Sequence, residues 1–125
     1  MPYTIDWKRN GAIKRFSGRV SFHDVLQSEQ DISSSPHYTG LRYVLSDYTG
    51  ADYQGITDSQ KADINALRIG GFMVNPRIKY AFVLQNPVVQ SQIKEAVAEA
   101  VMLHETRTFE TWDQAARWLG LPSSS

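Results

Sequence analysis

The sequence contains no cysteine. That excludes a disulfide framework, thiolate chemistry and a cysteine zinc site. It also lacks an excess of charge: 13 Lys and Arg stand against 13 Asp and Glu, and the formal net charge is zero. Nucleic-acid binding draws on clustered positive charge, so nucleic acid is not an expected partner. No run of like charges marks a basic membrane patch or an acidic tail. No apolar run approaches the length of a membrane-spanning helix. Met1-Pro2-Tyr3-Thr4-Ile5-Asp6 lacks the basic-then-apolar order of a signal peptide. No membrane insertion is expected, and a cytoplasmic location is the expectation. Gly-x-Ser-x-Gly and P-loop patterns are missing as well, and His23, His37 and His104 lie far apart with no metal-ligand spacing. The expectation is a non-enzyme with no catalytic residues, no metal and no cofactor.

What is present is enough for a core. The 125 residues are 42% hydrophobic, the size of one ordinary domain. One domain is expected over 1–121, with Pro122-Ser123-Ser124-Ser125 as a frayed tail. Its pivot is Leu41 to Asp47, a β-branched, aromatic and aliphatic stretch that runs into the turn-prone Asp47-Tyr48-Thr49-Gly50. It reads as a buried parallel strand whose carboxyl end opens onto a loop, Tyr48 to Ile56. Before it, Tyr3, Ile5 and Trp7 alternate as one face of a strand. Asn10-Gly11 is the signature of a type I′ hairpin turn, and Ala12 to Ser17 is the returning strand. Ser21 and Asp24 form a capping box opening a helix to about Ser33, which Pro36 ends.

After the pivot, Thr57 and Gln60 form a second capping box. The helix that follows frays or ends near Gly70-Gly71, and Asn75-Pro76 must terminate it. Ile78 to Leu84 is nearly all apolar, as in a strand covered on both faces. Asn86-Pro87 opens a third helix. Val89, Ile93, Ala96, Val97, Ala100 and Val101 recur along it at helical spacing. His104 follows, where a cation suits the helix end. Arg107 to Phe109 is a last strand. Thr111 and Gln114 cap a last helix, closed by Gly120. The order β-β-α-β-α-β-α-β-α predicts an α/β fold: a single mixed sheet with an N-terminal antiparallel hairpin, parallel later strands and covering helices. Val44, Val83, Ile93, Val97 and Leu119 are expected in the core. Trp7, Trp112 and Trp118 are expected to pack, with one of the last two left outside.

This order, the strand ending at Asp47, the apolar strand Ile78 to Leu84, and Arg107-Thr108-Phe109 followed by Ala115, Ala116, Trp118 and Leu119 resemble the STAS fold. That fold is named for sulfate transporters and anti-sigma-factor antagonists. The nearer likeness is to the SpoIIAA-like branch of small stand-alone bacterial proteins, a fold also compared with CRAL-TRIO lipid-binding domains. In the classical antagonists, a serine near the start of the second helix is phosphorylated by a partner kinase. It follows an aspartate and precedes a small residue and a glycine. Here Asp58 and Ser59 match that pattern, while Gln60 and Lys61 depart from it.

The expected site is the stretch from Asp47 to Ser59, with Asp47, Tyr48, Thr49, Asp58 and Ser59 as the candidate ligand or partner surface. It leaves the carboxyl end of a central strand, where open α/β sheets place their sites. It ends at a helix amino terminus, which favours anions. Ser59 is either a phosphorylation site or an ordinary first-turn residue. Asp47 is either a ligand residue, together with Asp52, or a cap for its own loop. The resulting expectation is a regulatory or protein-interaction module, with a small apolar-ligand or lipid-binding protein as the alternative. A homodimer is the expected assembly.

Overall fold

The structure, a computed structural model, describes residues 2–98 and 103–122. Five strands form one sheet: β1 (Tyr3–Trp7), β2 (Gly11–Arg19), β3 (Tyr43–Asp52), β4 (Lys79–Val83) and β5 (Glu105–Phe109). They lie side by side in chain order. β1 and β2 are antiparallel, and every later pair is parallel. The expected mixed sheet with its N-terminal hairpin is therefore the observed one, and β3 is its middle strand.

Four α-helices cover it: α1 (Phe22–Ser33), α2 (Asp58–Val74), α3 (Pro87–Ala98) and α4 (Trp112–Leu119). Strand periodicity sorts them into layers. Ala12, Phe16, Val44, Tyr48, Tyr80 and Phe82 face a core shared with Val25 and Ile32 of α1, Ile64 of α2 and Val89 of α3. Ile13, Leu45, Ala81 and Val83 point the other way, against Ala115 and the partly buried Trp112, Trp118 and Leu119 of α4. Three helices share one face and a single short helix holds the other.

The helix starts follow their caps. Ser21 and Asp24 bond reciprocally, and so do Thr57 and Gln60. Thr111 accepts from Gln114 N, but the Gln114 side chain reaches back to Glu110 N. Asn86 Oδ1 accepts from Val88 N at 2.9 Å. Gly120 closes α4 at φ 75°, the left-handed C′ position its type favours.

Several boundaries differ from the sequence expectation. β3 runs five residues beyond Asp47, because β2 is nine residues long and offers it a partner. After a register shift between Arg15 and Ser17, the segment Ser17–Arg19 pairs with Gly50, Ala51 and Asp52. The loop expected over 48–56 thus shrinks to 53–57. α2 continues through Gly70-Gly71 to Val74, and Asn75 ends it by donating its N–H to Gly71 O. Val97, expected in the core, is 40% exposed, and Ile93 and Leu119 are only partly buried. Ala100 and Val101 lie outside the described residues, as does 123–125 of the expected tail.

The geometry of the hairpin turn is a second correction. Trp7 pairs with Ala12, so Lys8 to Asn10 make the connection, with Lys8 N donating to Gly11 O at 2.8 Å. Gly11 is not among the positive-φ glycines. It is required for another reason: the Tyr43 ring, on the neighbouring strand, occupies the space a Cβ would take. Gly11→Ala is expected to cost about 1–3 kcal/mol, the usual penalty for overpacking. Chemical denaturation checks this, and a midpoint equal to the parent's would show that Tyr43 yields freely.

Candidate functional site

The three helices that share a face do not close against one another completely. A pocket of about 80 Å³ remains between α1, α2, α3 and the sheet. Val25, Ile64, Phe82, Val89 and Ile93 supply apolar walls, Tyr48 comes from β3, and Tyr53 and Ile56 come from the loop before α2. Lys61, Asn65, Arg68 and Gln92 are the other polar or charged residues on its lining.

The loop is held down from α3. Gln92 bonds both backbone groups of Ile56, accepting from its N–H at 3.2 Å and donating to its carbonyl at 2.9 Å. Asn86 Nδ2 donates to Tyr53 O at 3.0 Å. Gly55 lies at φ 93°, and a Cβ there would collide with the Gln92 amide. Glycine is needed at this position on both counts. A second hollow of about 120 Å³ shares Tyr48, Tyr53 and Val89 with the first and extends toward Thr49 and Gln85.

Beside the pocket lies a buried charge cluster that sequence reasoning missed. Lys14 is fully buried, and its Nζ meets Glu29 Oε1 at 3.0 Å and Ser28 Oγ at 3.3 Å. Arg68 Nη2 donates to the same Glu29 oxygen at 3.1 Å. The Arg68 guanidinium carbon lies 5.4 Å from the Tyr80 ring centre and 5.7 Å from that of Phe82. Burial pushes the Glu29 carboxyl upward, but the Arg68 and Lys14 cations outweigh it and hold it at about 2. Burial pulls the Lys14 ammonium below its ordinary value, against the pull of Glu29. Burial also raises the Tyr48 and Tyr53 phenols, Tyr53 to about 12, so both are neutral donors at physiological pH. Ser46 Oγ, on the strand position between Lys14 and Phe82, is buried with no partner.

The comparisons agree with this architecture. No protein-family model matches the sequence, and no curated protein matches it. Among solved structures, the unphosphorylated form of the anti-sigma factor antagonist SpoIIAA superposes with a TM-score of 0.60 at 12% identity, covering 94% of this chain and 97% of that one. An uncharacterized protein of the DUF3478 family from Shewanella loihica, itself described as having a SpoIIAA-like fold, superposes at 0.54 with 18% identity. That match covers 94% of this chain and 91% of that one. The chain has a SpoIIAA-like, STAS-like fold.

On this SpoIIAA-like frame the expected site residues divide. Tyr48 is buried in β3 and not on a loop; its ring stacks on Phe16 with centroids 4.3 Å apart. Its inward direction follows from the strand alternation that also buries Val44 and Ser46. Asp47 Oδ1 accepts from Thr49 N at 2.9 Å and from Thr49 Oγ1 at 2.6 Å, the local cap weighed above. Thr49 is exposed. Asp58 and Ser59 are exposed in the first turn of α2, with Ser59 Oγ 3.2 Å from Thr57 Oγ1. The pocket therefore gathers Tyr48 with Tyr53 and Ile56, while Asp47 lies on the α4 side and Asp58 and Ser59 lie on the surface.

His104 departs from its expected role as a helix-end cation. Its ring is buried against Phe72 and Tyr80, with Nε2 2.7 Å from Asn75 O. Burial lowers its pKa, which favours the neutral ring. Among the described residues no cluster of three or more His, Asp or Glu could hold a metal ion. No described helix is long and apolar enough to cross a membrane.

Proposed function

We propose that the protein is a non-enzymatic regulatory or protein-interaction module acting in the cytoplasm. Its working surface is the amino end of α2 with the loop 53–57 that leads into it. The observation that carries this reading is the exposure of Asp58 and Ser59 on a helix whose N-cap is satisfied by Thr57 and Gln60. Neither residue is the N-cap, and although Ser59 Oγ meets the Thr57 hydroxyl at 3.2 Å, both side chains are exposed to a partner. The fold shared with an anti-sigma factor antagonist supports the same reading. Ser59 is the residue we propose for phosphorylation: a phosphate in the first turn meets the positive end of the helix dipole.

The test is capture of a partner by the purified protein and by a double variant, Asp58→Ala with Ser59→Ala. Both proteins are expected to melt within a few degrees of each other, because exposed substitutions usually cost about 0.5 kcal/mol or less. The variant is expected to lose the partner. A variant that captures it as well as the parent would place the surface elsewhere. Sedimentation of the purified chain distinguishes a foreign partner from a second copy. The exposed Ile69, Met73 and Val74 of α2 support the homodimer as part of this proposal.

A second reading, a small apolar-ligand-binding protein, is supported by the pocket between the helices and the sheet. Its volume is below the ~300–1,000 Å³ of pockets that enclose drug-sized ligands, so it fits a small ligand and not a whole lipid.

A further inference from the structure

A helix on a protein surface ordinarily turns polar residues to solvent. The second half of α2 does not. From Ala66 onward its exposed positions are Ala66, Ile69, Gly70, Met73 and Val74, and none carries a polar side chain. Ile69 is 48% exposed, Met73 80% and Val74 62%. The spacing is specific as well. Ala62, Ala66, Ile69 and Met73, all exposed, follow one another at intervals of four, three and four residues. That is the repeat of a coiled-coil seam. Alanine occupies the first half of this seam and bulky side chains the second. Asp58 and Asp63 are exposed beside the first half, and Arg77 is exposed just past the helix end.

A second copy of α2 laid antiparallel suits this pattern, and a parallel one does not. Parallel pairing sets Asp58 and Asp63 each against its own copy, alanine on alanine and methionine on methionine. Antiparallel pairing sets each bulky residue on an alanine: Ile69 on the partner's Ala66, and Met73 on the partner's Ala62. The same register brings Asp58 level with the partner's Arg77. Alanine at the contact lets the two axes approach toward the lower end of the usual ~8–10 Å. Gly70 leaves open space beside the seam.

We propose that the chain forms a two-fold homodimer through antiparallel α2 helices, with Ile69 and Met73 seated on the partner's Ala66 and Ala62 and Asp58 paired with the partner's Arg77. The inference rests on the homodimer reading given above and adds its surface, its orientation and its register. An isologous contact uses one patch twice and closes at two subunits, so the apolar face is covered without leaving another exposed.

Sedimentation equilibrium of the full chain and its variants tests this. Met73→Glu puts a carboxylate into the seam and is expected to weaken the dimer about a hundredfold or more. Val88→Glu, at a 57% exposed valine of α3, is expected to leave it unchanged. Asp58→Arg faces the partner's Arg77 and is expected to weaken the dimer about tenfold. Adding Arg77→Asp reverses both charges and is expected to restore the parent's dissociation constant. All four positions are exposed, so far-UV circular dichroism of each variant is expected to match the parent's. If Met73→Glu nonetheless fails to fold, the charge reversal carries the test. A chain that stays monomeric at millimolar concentration would overturn both the proposal and the homodimer reading. A dimer that Met73→Glu leaves intact, or that Val88→Glu weakens as much, would overturn the α2 surface and leave a homodimer through another face. A double reversal as weak as Asp58→Arg alone would overturn the antiparallel register.

Discussion

Glu29→Ala is expected to destabilise the protein by about 3–5 kcal/mol, the usual result of removing one partner from a buried ionic group. For a chain of this size that is a large share of a total stability of about 5–15 kcal/mol. The reason is the asymmetry of the cluster. Among the described residues, Glu29 is the one carboxylate that meets both Lys14 and Arg68, so its loss strands two cations between α1, α2 and the sheet. Replacing all three charges together, as Lys14→Met, Glu29→Leu and Arg68→Met, is expected to recover most of the loss, because a well-packed apolar substitute avoids the desolvation penalty. A triple variant as unstable as Glu29→Ala would mean that shape, and not charge, is what the cluster contributes.

The same group makes an acid limb. In the folded chain the Glu29 carboxyl is held at about 2, against its ordinary 4.5, so the unfolded state takes up the proton more readily. The stabilisation is complete above pH 4.5 and disappears as the pH falls toward 2, and its size is about 3 kcal/mol. Lys14 acts in the same direction at the other end of the scale. Its folded pKa is depressed below the ordinary 10.5, so stability rises again as the pH climbs toward that value. Denaturation midpoints of the parent and Glu29→Gln between about pH 2 and pH 7 check the lower window: below about pH 4.5 the parent is expected to slope more steeply than the variant, while both keep the slopes that the lowered His104 and Asp24 pKa values supply.

The fold was legible because its signals were redundant. Capping boxes at Ser21 and Thr57, Asn86-Pro87 and Gly120 each mark an end that hydrophobic periodicity marks independently. The end of β3 was misread because Asp47, Tyr48, Thr49 and Gly50 are turn-prone in isolation. Pairing with the far end of β2 overrides that local preference, and a strand's length depends on a neighbour far away in sequence. Gly11 shows the same limit: its type is legible, but the Tyr43 ring that requires it is a tertiary contact.

The site was legible in part. The stretch Asp47 to Ser59 contains Tyr48, Tyr53 and Ile56 of the pocket, but the wall from α3 could not be placed without the fold. The charge cluster did leave a signal. Lys14 alternates with Ala12 and Phe16 on the inward face of β2. Glu29 stands four residues after Val25 and three before Ile32. Arg68 stands four after Ile64. Each is a charge at a core position by periodicity, and an inward charge needs a partner of opposite sign. Two cations and one anion on three separate elements was a constellation available to the reading, and none of the three carries a motif that draws attention to it.

Val83→Asp is expected to prevent folding, and Val97→Asp to leave stability almost unchanged. Both valines read as core by pattern, one in an all-apolar strand and one on a helical stripe. In the structure Val83 has no exposed surface and packs in the layer that α4 covers. A carboxylate there has no partner within the apolar layer formed by Leu45, Ala81 and Ala115. It also replaces a β-branched side chain suited to a central parallel strand. The desolvation cost of an unpaired buried charge is several kcal/mol, comparable with the whole stability of the domain. Val97 is 40% exposed on α3, where an aspartate stays solvated and costs roughly the helix-propensity difference, under about 1 kcal/mol. Circular dichroism and urea denaturation of the two variants separate these outcomes. A Val83→Asp protein that unfolds with the parent's midpoint would contradict the α4-covered layer, and a Val97→Asp protein that fails to fold would place α3 deeper in the core than the structure has it.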